Sequence, residues 1–298
     1  MSQAELDRLI GKIHKELGTW LPGISVPAMR ESWDRLFMDV PELAPVKKQV
    51  LKANGVPAEW LDGPGARSDR AVLYLHGGGY VLGGINSHRD LMARISADAK
   101  ARVLGIDYRL APEHPFPAAV DDAVSAYRFI LDSGITPNHV AIAGDSAGGG
   151  LTAATLLAIR DKKLPLPACA ALLSPWVDLE GEGQSMNGGV MDDPMVRKDL
   201  VALMAPAYLN GKSARDPLAS PLHANLSGLP PLLVQVGRRE VLLDDSTRFA
   251  QAALRAGVKV ELEVWPGMLH VWQLFASELE EGREAIARIG GFLRSHFG

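Results

Sequence analysis

The 298-residue sequence predicts an α/β protein, a mostly parallel eight-stranded sheet flanked by helices and carrying a helical cap. Three observations predict it. Short apolar runs recur along the chain, amphipathic helical stretches separate most of them, and one long Gly/Pro-rich excursion with its own helix interrupts the alternation. Alternation of strands and helices argues for βαβ units and a sheet covered on both faces.

The elements follow in order. Leu6, Leu9, Ile10, Ile13 and Leu17 fall on one stripe at helical spacing, and Met29, Trp33, Leu36 and Phe37 form a second. Two helices are therefore expected within residues 1–45. From Lys47 onward the pattern shortens. Residues 49–53 and 57–61 suggest a hairpin, and apolar runs follow at 71–75, 103–106, 140–143, 168–173, 232–236 and 258–264. Helical stretches lie at 118–131, 151–162, 246–256 and 283–297.

The interval between Leu173 and Leu232 breaks the rhythm. It is rich in Gly, Met, Asp and Pro around 181–194 and helical around 198–209. Such an excursion between neighbouring strands is usually an insertion over the ligand-binding edge of the sheet. With the N-terminal helices, residues 180–214 are expected to form a cap on a catalytic domain spanning 46–298. The competing reading makes both segments extra core-packing helices.

Composition excludes several function classes. A net charge of −4 and no Lys/Arg run give nucleic acid no grip. The one cysteine, Cys169, lies in an apolar run and reads as a buried strand residue, so no intrachain disulfide forms and a reducing compartment fits. The N-terminus lacks a signal-peptide apolar region and no segment reaches membrane-span length, so a cytoplasmic location without a membrane partner is expected. No H-E-x-x-H or cysteine cluster suggests a metal, and no cofactor is expected.

The chemistry-bearing motifs sit where strands end. Gly144-Asp145-Ser146-Ala147-Gly148 directly follows the run 140–143 and directly precedes a helical run. A strand-to-helix turn that sharp forces Ser146 into a strained backbone conformation, and glycines two residues away avoid the clash. The helix N-terminus then faces the reacting centre, where negative charge develops. A phosphate-binding turn is the rival, but the P-loop lysine and the dinucleotide spacing are absent.

His76-Gly77-Gly78-Gly79-Tyr80 follows the run 71–75, the position of the loop that completes an oxyanion hole in α/β hydrolases. Residues without side chains let backbone N–H groups close on an oxyanion, each worth roughly 3 kcal/mol in the transition state. Gly78, Gly79 and Ala147 are expected to be the donors. His76 precedes the nucleophile and is expected to hold the glycine loop.

In this fold the order is serine, acid, histidine. Only His223, His270 and His296 follow Ser146. His223 precedes the strand that should deliver the acid, and His296 ends a terminal helix. His270, in a loop after the last strand, is the expected base. The acid comes from the loop after 232–236, where Glu240 is first and Asp244 competes. Asp244, Asp245 and Ser246 lie where the next helix should begin and read as N-cap residues, which favours Glu240.

With these pieces placed, the chain resembles the bacterial branch of the hormone-sensitive-lipase family of carboxylesterases. The similarity runs from about residue 46 to the end and also rests on Asp107-Tyr108-Arg109-Leu110-Ala111-Pro112-Glu113, Ser174-Pro175-Trp176 and His270-Val271-Trp272. It implies that the charged residues of 107–113 brace the glycine loop. Many members place Asp where this chain has Glu240, four residues before a second, structural Asp.

The resemblance implies a serine carboxylesterase acting on short- to medium-chain esters through an acyl-enzyme, or a narrower lactone or acetyl-ester hydrolase. Trp20, Met29, Trp33, Met186, Met204 and Tyr208 are expected to enclose the acyl pocket. The alternative class is a non-catalytic small-molecule binding protein on the same fold, as in the plant gibberellin receptors. Those resemble the family but lack the catalytic histidine that His270 supplies here. A homodimer through the alternating edge strand 258–264 is also expected, against the view that Lys259, Glu261 and Glu263 keep that edge unpaired.

Overall fold

The computed structural model describes residues 3–18, 20, 23–37, 40, 45–187 and 193–298. The expected stripes form two N-terminal helices, α1 (Gln3–Leu17) and α2 (Val26–Phe37), which bury Leu6, Leu9, Ile13 and Leu17, and Met29, Trp33, Leu36 and Phe37. The hairpin is β1 (Lys47–Ala53) and β2 (Val56–Asp62). The alternating part then runs β3 (Arg67–Leu75), α3 (Ile85–Ala99), β4 (Ala101–Ile106), α4 (Ala118–Asp132), β5 (Val140–Asp145), α5 (Ala147–Asp161) and β6 (Cys169–Leu173). After the insertion, with α6 (Gln184–Asn187) and α7 (Lys198–Leu209), come β7 (Leu232–Gly237), α8 (Leu243–Arg255), β8 (Val260–Trp265) and α9 (Glu280–His296).

All eight strands join one sheet in the order β1-β2-β4-β3-β5-β6-β7-β8. Only the β1–β2 and β2–β4 pairings are antiparallel, and the other five are parallel. The central strands β5, β6 and β7 are buried at every residue, as the unbroken apolar runs require of a sheet covered on both sides. Helix α5 is buried along its length from Ala147 to Ile159, and its small residues let it lie close behind β5. Cys169 is buried at the start of β6, where its apolar run placed it.

Helix α3 has no apolar stripe legible beforehand, because its inner face carries Ser87, His88, Asp90 and Ser96. These polar groups are spent on specific bonds. Ser96 Oγ accepts the Gly63 N–H at 2.8 Å and donates to the Ala101 carbonyl at 2.7 Å, closing α3 onto the ends of β2 and β4. No helix among the described residues is long and apolar enough to cross a membrane.

The two segments read as a cap meet above the serine. Trp20, which follows α1, Trp33 from α2, and Met195, Val196, Leu200, Val201 and Met204 from the insertion line one pocket together with Ser146. The Arg197 guanidinium bridges the segments by donating to the Trp20 carbonyl at 3.3 Å.

Candidate active site

The turn at Ser146 has the predicted strain. Ser146 lies between β5 and α5 at φ 54° and ψ −121°, a region that L side chains rarely occupy. Three bonds hold it there. Its N–H donates to the Leu173 carbonyl at 2.8 Å, and its own carbonyl accepts from Gly150 and Trp176 at 3.0 and 2.9 Å. The flanking glycines are required by space. A Cβ on Gly144 would fall 2.6 Å from the Leu75 carbonyl oxygen, and one on Gly148 would collide with the carbonyls of Leu75 and His76.

The glycine loop follows β3 and approaches Ser146 across the same pocket. Gly78 and Gly79 both have positive φ, 117° and 63°. Gly77 turns the other way and donates its N–H to the Asp145 carboxylate at 3.0 Å. Among the described residues, no backbone carbonyl takes up the N–H of Gly78 or Gly79. The sulfur of Met204, from α7, occupies the space a side chain on Gly79 would need.

A buried polar network fixes this loop from behind. Asp145 accepts the Tyr74 hydroxyl at 2.8 Å and lies 3.3 Å from His88 Nε2. Burial alone would raise its carboxyl, but the charge and hydrogen bond of His88 and the Tyr74 hydroxyl hold it below the ordinary range. His76 does hold the loop, through Nδ1 bonded to the Gly77 carbonyl at 2.8 Å, which makes Nδ1 the protonated nitrogen. Burial, aided by neighbouring His88, lowers its pKa to about 3, so it stays neutral. Its ring stacks on Tyr108 with centroids 4.1 Å apart.

Of the string 107–113, Asp107, Tyr108, Ala111 and Glu113 brace the loop, whereas the charged Arg109 does not. Asp107 accepts the Ile85 N–H at 2.8 Å, the Tyr108 hydroxyl donates to the His76 carbonyl at 2.7 Å, and Ala111 N–H donates to Tyr80 O at 2.9 Å. Glu113 pairs with Arg30, whose guanidinium also reaches the Val81 and Ala111 carbonyls, joining α2 to the loop. Arg109 turns away and pairs with Asp122 on α4.

His270 and Glu240 meet. His270 Nδ1 lies 2.9 Å from Glu240 Oε2, and both side chains are buried. The other carboxylate oxygen accepts the Ser174 hydroxyl at 2.7 Å and the Gly237 N–H. Ser174 Oγ in turn accepts the Val271 N–H at 3.3 Å, so the acid loop and the histidine loop are fastened through one hydroxyl. Burial raises the Glu240 carboxyl. Burial works to lower His270, but the bond and charge of Glu240, then the charges of Asp193 and Asp145, raise it above the ordinary histidine value.

Several expectations need correction. Asp244 is no N-cap: α8 begins at Leu243 without a side-chain cap bond, and the Asp244 carboxylate accepts the Ser185 N–H at 3.0 Å, tying α6 to α8. Asp245 instead accepts the N–H groups of Val177 and Asp178, both at 3.0 Å. Met29 and Tyr208 do not line the pocket. Met29 is spent in the packing of α2, and Tyr208 stacks on Tyr80 with centroids 3.7 Å apart. Met186 borders a different groove, on the outer side of α7. Trp20, Trp33 and Met204 do line the pocket, with Leu242, Val271 and Leu274, which sequence reasoning had not singled out.

The two other late histidines lie elsewhere. His296 Nδ1 bonds to the Phe292 carbonyl at 2.8 Å. His223 Nε2 lies 3.5 Å from Glu180 and 3.8 Å from Asp178. These three side chains bring ligand-type atoms within 4.8 Å of one another, but Arg248 and Arg215 already neutralise the two acids at 2.7 and 2.9 Å.

The sheet order and the elbow define the architecture, and residues 72–274 match the model of a family described as having the alpha/beta hydrolase fold. The chain belongs to the bacterial hormone-sensitive-lipase branch of that fold. It is 46% identical to an acetyl-hydrolase of Streptomyces hygroscopicus over 273 residues, 92% of this chain and 91% of that protein. A crystal structure of an esterase from the bacterial hormone-sensitive lipase family superposes with a TM-score of 0.96 at 49% identity, covering all of both chains. The structure of EstE5 soaked with p-nitrophenyl butyrate gives 0.93 at 44% identity, over 99% of each.

Proposed function

We propose that the chain is a serine carboxylesterase hydrolysing short- to medium-chain carboxylic esters. The observation that carries the reading is the 2.9 Å contact of Glu240 with His270, which lines the same pocket as Ser146 at its strained turn. The relatives support the same reaction class, since they carry the names acetyl-hydrolase and esterase. The presence of His270 weighs against a pure binding protein.

In the proposed reaction, Nε2 of His270 takes the Ser146 hydroxyl proton as Oγ attacks the ester carbonyl. Glu240 accepts the Nδ1 proton as a hydrogen bond and stabilises the imidazolium without itself being protonated. The N–H groups of Gly78, Gly79 and Ala147 hold the oxyanion, and the N-terminus of α5 adds its dipole. The alcohol departs with the proton from His270. Water, deprotonated by the same base, then releases the acid and restores Ser146.

Residues 1–45 and 180–214 act as a cap on the catalytic domain. The pocket under it encloses about 50 Å³ and is mostly apolar, which suits a compact acyl group. Hydrolysis of a soluble p-nitrophenyl acyl series tests the assignment: turnover that vanishes in Ser146→Ala while the fold persists is expected, and turnover retained in that variant would overturn it.

The same reading places the enzyme in the cytoplasm as a homodimer through the edge strand. β8 ends the sheet order, and Leu262 is exposed on it at 38%. Light scattering at micromolar concentration should give twice the 32.0 kDa chain mass, and a monomer would contradict the dimer.

A further inference from the structure

A second buried carboxylate stands beside the Glu240–His270 pair. Asp193 opens the run into α7 and is 9% exposed. One of its oxygens accepts the N–H groups of Met195 and Val196, each at 3.0 Å, and the other accepts the Val241 N–H at 3.3 Å. Met195 and Val196 form part of the pocket roof, and Val241 directly follows Glu240. One carboxylate thus joins the cap insertion to the acid loop.

A charge in such a place is costly unless something answers it. Three backbone donors answer part of it, and the nearby cationic group is His270. Three carboxylates face that imidazole. Glu240 is bonded to it, and Asp145 is committed to Tyr74, Gly77 and His88. Asp193 is the third, and its bonds run to backbone on both sides of the pocket.

We propose that Asp193 is a positioning residue for the ester hydrolysis. It pins the acid loop to the cap so that Glu240 reaches Nδ1 of His270, and its charge stabilises the imidazolium that forms when Ser146 gives up its proton. This rests on the roles proposed above for Ser146, His270 and Glu240. A carboxylate serving only as a staple would govern stability and leave the titration of the base alone.

The test is the pH profile of kcat/KM in Asp193→Asn, with kcat, KM and Tm recorded beside it and Ser146→Ala as control. Asparagine keeps one acceptor oxygen, loses the second and removes the charge facing His270. The acid limb should move to lower pH by on the order of one unit, and kcat should fall about tenfold with KM little changed. An unmoved acid limb with unchanged kcat, at whatever Tm, overturns the proposal. Should Asp193→Asn not fold, Asp193→Glu decides. It keeps the charge but displaces it from the three amides, so the acid limb should stay and kcat should fall; wild-type kcat there overturns the proposal. Activity surviving in the Ser146→Ala control would instead sink the underlying enzymatic reading.

Discussion

Glu240 and Asp244 are four residues apart, the first in the loop after β7 and the second at the start of α8, and their carboxylates serve different parts of the molecule. Glu240 meets His270 Nδ1 at 2.9 Å, whereas Asp244 turns outward to the Ser185 amide at 3.0 Å. The first is fully buried against His270; the second fastens α6 of the insertion to α8.

This separation gives the first prediction. Glu240→Gln should lower kcat on the order of 10³–10⁴-fold, because the amide favours the wrong imidazole tautomer and cannot stabilise the imidazolium. Asp244→Asn should retain near-normal kcat and lose about 1 kcal/mol, the worth of one hydrogen bond at a partly buried site. Kinetics and melting curves on the pair check both, and a catalytically dead Asp244→Asn beside an active Glu240→Gln would reverse the assignment.

The pH dependence follows from His270. Only its neutral form can accept the Ser146 proton, and against burial the bond and charge of Glu240, with the charges of Asp193 and Asp145, hold its pKa above the usual value of about 6.5. The rate should therefore rise with pH through a midpoint above that value. Removing the Glu240 charge takes away the foremost of the influences that raise His270, so in Glu240→Gln the residual activity should rise at lower pH than in the wild type. A midpoint that moved upward would show that Glu240 is not the group acting on the base.

Substrate length should be set by the roof. Met204 sits against Gly79 and Leu200 and Val201 line the same wall, so the enzyme should prefer acyl chains of roughly two to eight carbons without activation at an oil interface. Met204→Ala should shift the preferred chain length upward. A rate that kept rising with chain length in the wild type would contradict the closed pocket.

Support of the glycine loop is separable from catalysis proper. Tyr108→Phe leaves the buried His76 carbonyl without its donor, an unsatisfied acceptor costing about 1–3 kcal/mol. Thermal melting should register that loss. Because the strand end carrying the loop is then free to shift, kcat should fall while KM stays nearly constant; an unchanged kcat would show that the loop is held without Tyr108.

Much of the site was legible because its chemistry demands particular residue types at strand ends. Ser146 needs glycines at 144 and 148, and the steric contacts of those positions show why nothing larger fits. Chain order narrowed the base to three histidines, and position after the last strands singled out His270 and put Glu240 ahead of Asp244, whereas the N-cap reading that also favoured Glu240 did not hold. What escaped was written in tertiary contacts. Helix α3 hides its polar inner face because Ser96 and His88 are satisfied by Gly63 and Asp145, partners far along the chain. Asp193 lies in a Gly- and Met-rich stretch with no periodicity, and only the fold brings it to Val241. Tyr208 sits at the helical spacing of a pocket residue but is claimed by Tyr80, a partner that no local pattern announces.

Ser146 is the activated nucleophile of the proposed reaction, and covalent labelling reaches it most directly. Ser146 stands at the elbow facing His270 across one pocket, so a fluorophosphonate should phosphonylate it as an ester carbonyl would be attacked. Intact-mass measurement after brief incubation should show one stoichiometric adduct on the wild-type chain, mapped by peptide analysis to Ser146 and absent from both Ser146→Ala and heat-unfolded protein. No adduct on the folded wild type, or an adduct that persists in Ser146→Ala, would contradict the account.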